Sequence, residues 1–291
     1  MKKSKKIDDD KVQFEWSENI NTTWSEYETK FNDQMEKANK DQKVFIDDVI
    51  SNLKQLIGRE KKPDSTLFLL KAAGGTGKTF CLDTIISYVK HVTKKQDTVI
   101  CVASTTISAL LLDKGTTAHF RFKLPINIST SEIRSNMDMS SEEVKILGEA
   151  VILIWDEAFT IHKSYIEAVD YLFREIKQNE EPFGGIIVIL SGDLRQTLPK
   201  LKHSGRADIA RSVIVKSHLM PLFKTYSLEK NMRLENAKNK QKARKFADFL
   251  IRVGDGTEPV ENGQITLPKW MNQTTTYPGL REFVSFKGPA H

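Results

Sequence analysis

Cysteine is nearly absent: Cys81 and Cys101 are the only two in 291 residues. They show no C-x-x-C spacing and no nearby histidine cluster. That argues against a disulfide framework and a zinc module, and fits a reducing compartment. No apolar run approaches the ~20 residues of a membrane-spanning helix. Met1–Lys6 (M-K-K-S-K-K) has no apolar core, so it does not read as a secretory signal. It reads as a solvated tail, with a weak nuclear address as the alternative. There is no internal repeat. Neither sign of charge dominates: the net charge is +6. That balance permits a nucleic-acid partner without requiring one.

What is present suits a globular protein with a real core, at 39% hydrophobic and 28% charged residues. Residues 1–37 form a charged extension containing Trp16, Trp24, Tyr27 and Phe31. It is expected to be poorly ordered or partly helical, unless the aromatics pin it to the main body. A main domain is expected over 38–253. Val44, Phe45, Val49, Ile50, Leu53 and Ile57 recur at helical spacing, and Gly58 supplies a stop. Buried strands are expected at Leu67–Leu70, Thr98–Ala103, Val151–Trp155 and Gly185–Leu190. Helices are expected at Phe80–Val92, Ile107–Leu112 and Lys163–Gln178. Apolar strands alternating with helices predict a doubly wound, mainly parallel α/β sheet. Residues 254–291, rich in Gly and Pro, read as an irregular tail.

Three polar clusters fall just after strands, at the edge where such sheets bind ligands. The first is A-A-G-G-T-G-K-T at 72–79. A strand, a Gly-rich turn and a helix form a phosphate cradle built from Gly74, Gly75, Thr76 and Gly77. Lys78 reaches the β- and γ-phosphates and the Thr79 hydroxyl holds Mg²⁺. The strict motif has Gly where this chain has Ala72, but the remaining glycines keep the turn free to fold. The second is Asp156-Glu157. The Asp suits a Mg²⁺ shell and the Glu a base that deprotonates the attacking water. The third is Gly192–Gln196, where Gln196 is placed to sense the γ-phosphate. Together they predict triphosphate hydrolysis. A P-loop kinase or GTPase is a weaker alternative, because no N-K-x-D base-reading motif follows.

At this point the chain resembles the PIF (petite integration frequency) DNA helicases, RecD-like motors, and within them the branch related to rolling-circle Helitron transposon helicases. The resemblance rests on A-A-G-G-T-G-K-T-F at 72–80, K-G-T-T-A-H-F-R-F-K-L-P at 114–125 and D-E-A at 156–158. It continues with F-G-G-I-I-V-I-L-S-G-D-L-R-Q-T-L-P at 183–199, L-E-K-N-M-R-L at 228–234 and F-A-D-F-L-I-R-V-G-D-G-T-E at 246–258. N-K-D-Q at 39–42 resembles the adenine-reading motif at the family's start.

The resemblance implies a RecA-like P-loop NTPase fold and an ATP-dependent 5′-to-3′ DNA helicase with ATP and Mg²⁺ at its site. It further implies a nuclear, and also mitochondrial, role in repair, recombination and telomere maintenance. By matching motif, Gln42 contacts adenine, and Arg233 contacts the γ-phosphate and acts in catalysis with Glu157 and Gln196. Ser104, Thr105, His119, Phe120 and Arg121 meet single-stranded DNA, the aromatic-plus-basic mix suiting stacked bases. Within that region Thr106 and Ser108 replace smaller family residues. The family's motor has two RecA-like domains, and after Glu258 only 33 residues remain, too few for a second of ~100 or more. The chain is therefore expected to be shortened after the first. Two readings stay open: a DNA helicase, or an ATP- and single-strand-binding module without unwinding. Oligomeric state is left open.

Overall fold

The computed structural model describes residues 20–58, 61–126, 133–193, 212–235, 237, 239–261, 264–265 and 267–268. By internal contacts it divides into two units, Met1–Asn236 and Ala237–His291.

The first unit is built on one six-stranded sheet. In chain order its helices and strands are α1 (Ile20–Lys37), α2 (Lys40–Gly58), β1 (Leu67–Ala72), α3 (Lys78–Thr93), β2 (Val99–Ala103), α4 (Thr106–Ala109), β3 (Thr116–Thr117) and α5 (Ala118–Arg121). They continue with α6 (Glu142–Glu149), β4 (Ile152–Asp156), α7 (Lys163–Lys177), β5 (Ile187–Gly192), β6 (Lys224–Leu228) and α8 (Met232–Glu235). The strand order is β3-β2-β4-β5-β1-β6, and every pairing is parallel. Side chains alternate along each strand, so both faces are buried. Leu67, Leu69, Leu153, Trp155, Val188 and Leu190 pack on one side with Ile166, Val169 and Phe173 of α7. Phe68, Leu70, Ile152, Ile154, Ile187 and Ile189 pack on the other with α2 and α3.

Most expected elements are present with shifted ends. The strand expected at Gly185–Leu190 begins instead at Ile187, because Phe183, Gly184 and Gly185 adopt positive φ in a tight turn. The helix expected at Ile107–Leu112 is one turn, Thr106–Ala109, capped by the Thr105 hydroxyl, which accepts from the Ser108 amide.

Part of the N-terminal extension is a helix fixed to the main body. Both carboxylate oxygens of Asp83 on α3 are held, by Lys30 Nζ and Gln34 Nε2, each at 2.8 Å. Phe31 stacks against Tyr88 at 5.2 Å between ring centroids. The backbone oxygen of Trp24 meets His91 Nδ1 at 3.3 Å, and Tyr27 lies beneath the Lys90 ammonium. Phe31 and Tyr27 thus act as pins, as the alternative reading of the sequence had it, while Trp16 lies outside the described residues.

The second unit contains α9 (Lys240–Gly254), with the Asn239 side chain accepting from the Lys242 amide. A short antiparallel pair follows, β7 (Val260–Glu261) with β8 (Gln264–Ile265).

Candidate functional site

The carboxyl ends of β1, β4 and β5 bring the phosphate turn and the acidic pair together. The turn from β1 into α3 needs backbone freedom at two points: Gly75 has φ +86° and Gly77 has φ +93°. Within it the Thr76 hydroxyl donates to the Ala73 carbonyl at 2.8 Å. α3 then starts at Lys78, and its first-turn residues Lys78, Thr79 and Phe80, whose amides lack partners within the helix, line the cavity.

The Lys78 ammonium makes an ion pair with Glu157 Oε1 and a second with Asp156 Oδ1 at 3.1 Å. All three side chains are largely buried. Asp156 Oδ1 also accepts from the Ser191 hydroxyl at 2.7 Å and from the Glu157 amide at 2.9 Å. Glu157 sits in the left-handed region at φ 53°. Its carbonyl is fixed there by the hydroxyls of Ser104 at 2.7 Å and Thr160 at 2.9 Å. Its Oε2 is buried without a hydrogen-bond partner.

A cavity of about 340 Å³ opens on this cluster. Gly74, Gly75, Gly77, Lys78, Thr79, Asp156, Glu157 and Arg233 line it, together with Ser108 and Leu111 of the α4 region. The distant N-M-R segment reaches the phosphate turn through two bonds to carbonyls of the turn. The Met232 amide donates to the Gly75 carbonyl at 2.8 Å, and Asn231 Nδ2 donates to the Gly74 carbonyl at 3.4 Å. A Cβ on Gly75 would lie 2.6 Å from Asn231 Oδ1 and 2.9 Å from Arg233 Cδ. A bare α-carbon is therefore what allows that approach.

The other sequence-selected residues are not gathered at one place. Ser104 is turned toward the site: its hydroxyl donates to Glu157 O and accepts from Trp155 Nε1 at 3.4 Å. Thr105 is a helix cap. His119 lies edge-on to Tyr165 at 4.5 Å, and burial lowers its pKa. Phe120 projects outward, 76% exposed, beside Arg121, whose pKa burial also lowers. Together with Lys123 and Glu143, residues 119–121 line a separate cavity of about 320 Å³. Gln42 is 2% exposed and bonded to the carbonyl of Thr76. Gln196 lies outside the described residues. Sequence reading did not select Ser191 or Asn231. Ser191 carried a signal, because it directly precedes Gly192-Asp193 at the end of β5, which the sequence reading had marked; Asn231 carried none apart from its place in N-M-R.

A fully parallel sheet with a phosphate turn after its β1 strand and an Asp-Glu pair after β4 defines a RecA-like α/β P-loop domain. The sequence profile of the PIF1-like helicases matches residues 37–264. This chain belongs to that family. The ATP-dependent DNA helicase Pif1 of Psychrobacter sp. (strain PRwf-1) is 32% identical over 140 residues, covering 47% of this chain and 20% of that protein. The ATP-dependent DNA helicase RRM3 of Saccharomyces cerevisiae is 28% identical over 131 residues, covering 45% and 18%. Among solved structures, Pif1 helicase from Candida albicans aligns with a TM-score of 0.59 at 21% identity, covering 76% of this chain and 45% of that one. Pif1 helicase from Bacteroides in complex with ADP-AlF3 and ssDNA aligns with a TM-score of 0.54 at 23% identity, covering 72% and 47%. The matched segment is thus about a fifth of the curated relatives and under half of the solved chains.

Proposed function

We propose that this chain is the ATP-binding core of a DNA helicase, hydrolysing ATP as it moves 5′-to-3′ on single-stranded DNA. The carrying observation is that Lys78, Thr79, Asp156, Glu157 and Arg233, from three separate segments, line one cavity beside a helix N-terminus. Phosphate oxygens compete with the two carboxylates for the Lys78 ammonium. Glu157, released from that pair, is placed to take the proton of an attacking water. Arg233, beside Gly75 in the lining of the same cavity, adds positive charge where transition-state charge develops. The residues fit Mg²⁺: the Thr79 hydroxyl and Asp156 supply hard oxygen ligands, and the unpaired Glu157 Oε2 provides further acceptor capacity. The ion would neutralise the β- and γ-phosphates. Gln196 is assigned the γ-phosphate sensor by resemblance alone.

For DNA we assign the 119–121 cluster, with exposed Phe120 stacking on a base and Arg121 near a phosphate. Ser104 and Thr105 are assigned to DNA by resemblance alone, since their hydroxyls are engaged with the Glu157 carbonyl and the α4 cap. Nuclear and mitochondrial repair, recombination and telomere maintenance are the roles this reading carries. Three measurements on the purified chain test it: ATP titration, phosphate release with and without single-stranded DNA, and unwinding of a 5′-tailed duplex. DNA-stimulated turnover with unwinding supports the helicase. ATP binding with neither activity favours the binding module, and no ATP binding overturns both.

A further inference from the structure

α1 ends where the family-matched stretch begins, at residue 37, and it lies against α3. What it meets there is a buried charge. Lys90, in the last turn of α3, is 2% exposed, and its ammonium is ion-paired with Asp113 Oδ2. Tyr27 of α1 meets the same ammonium: its ring centroid lies 5.3 Å from Lys90 Nζ, and its hydroxyl accepts from Nζ at 3.5 Å. Trp24 packs beside that ring, at 6.0 Å between centroids.

Asp113 opens the segment that carries the 119–121 cluster. Lys114 turns the chain in the left-handed region at φ 50°, and the Gly115 amide closes the turn onto the Leu112 carbonyl at 3.0 Å. β3 follows at once, with Thr116 and Thr117 paired to Val102 and Ala103. The Thr117 hydroxyl then caps α5, accepting from the Phe120 amide at 3.3 Å. Each step is constrained, so a shift at Asp113 passes on to Phe120. β3 adds only two residues to the edge of the sheet, which leaves the Lys90–Asp113 pair as a buried anchor at the start of the segment.

We propose that α1 positions the DNA-contact segment, with Tyr27 as a cover that keeps the Lys90–Asp113 ion pair from water. This rests on the reading of 119–121 as a single-strand contact. Opposite charges attract far more strongly away from water, whereas exposed pairs contribute little. Uncovering Lys90 lets Asp113 detach, and the apparent affinity for DNA falls with the fraction of molecules whose segment is correctly placed. The ATP cavity is spared, because Lys90 lies about 18 Å along α3 from Lys78.

The test measures binding of a labelled oligothymidylate strand, and of ATP with Mg²⁺, to the full chain and its variants. Tyr27→Leu removes the ring face and the hydroxyl. Asp113→Asn removes the charge opposite Lys90. Each should weaken strand binding about fivefold, while ATP affinity stays within about twofold of wild type. The double variant should bind the strand no worse than Asp113→Asn alone, because the cover acts only through the pair. Tyr27→Phe keeps the ring beside the ammonium and should bind like wild type. If Asp113→Asn is unfolded by circular dichroism, the comparison of Tyr27→Leu with Tyr27→Phe decides. Wild-type strand affinity in Tyr27→Leu overturns the proposal. So do additive losses in the double variant, or a parallel loss of strand and ATP affinity, the mark of a chain that is only less stable. Phe120→Ala combined with Arg121→Ala is the control. If that variant binds the strand like wild type, the DNA reading of 119–121 falls, and this inference with it.

Discussion

Replacing Lys78 with methionine removes the proposed phosphate contact and also uncovers two carboxylates that form no other ion pair among the described residues. The Lys78 side chain is 13% exposed, Asp156 3% and Glu157 16%. At 3.1 Å from Asp156, the gross attraction is about 5 kcal/mol for an effective dielectric constant of 20. Desolvation offsets part of this while both partners are present. Truncating one partner leaves the other buried without compensation, which typically costs about 3–5 kcal/mol. Asp156 keeps its bonds from Ser191 and the Glu157 amide, so we place the loss at the lower end, about 3 kcal/mol. Urea unfolding followed by circular dichroism reads it as a lower midpoint at unchanged slope. The diagnostic is a change of sign. Glu157→Gln should destabilise the wild-type chain, where it weakens an ion pair. In the Lys78→Met background it should stabilise, because it removes one of two adjacent like charges, with a coupling of roughly 1–3 kcal/mol. Lys78→Met with the wild-type urea midpoint, or an additive pair of substitutions, would refute the electrostatic account of this site.

Gly75→Ala forces a side chain into the left-handed region and against Asn231 and Arg233; it should cost about 2 kcal/mol, and the Met232 amide should exchange faster with solvent. Asp83→Ala frees Lys30 and Gln34 together. That pair is partly exposed, so about 1 kcal/mol or less is expected, seen as faster amide exchange confined to α1. Burial pushes the Cys81 and Cys101 thiols from 9.0 up to about 12. Iodoacetamide at pH 8 should therefore modify them only in denaturant. Above about pH 9 the unfolded chain loses thiol protons that the folded chain keeps, so stability should fall as pH rises there.

The phosphate turn and the acidic pair were legible because each is a short run bounded by apolar strand residues. The V-I-L-I-W run places Asp156-Glu157 at a strand end on any reading of period. β6 escaped notice because it is an edge strand: Lys224–Leu228 is mostly exposed, with only Leu228 buried, so no apolar alternation marks it. α1 was ambiguous for a related reason. Its contacts with α3 use Lys30, Gln34 and Phe31 in place of a broad apolar stripe. For Arg233 no local pattern favoured a site over a surface loop. Only the Met232–Gly75 backbone bond and the shared cavity wall bring it to the phosphates.

By itself the sequence determined the parallel α/β class, the cradle at 72–79 and the acidic pair behind a buried strand. These are local matters of periodicity, glycine freedom and spacing along one segment. The tertiary structure alone decided which distant segments meet: Ser191 and Ser104 bracing Asp156-Glu157, N-M-R against Gly75, α1 against α3, and Gln42 tied to Thr76. Those partners lie far apart in the chain, and their meeting depends on strand order and on which buried polar groups must find a bond.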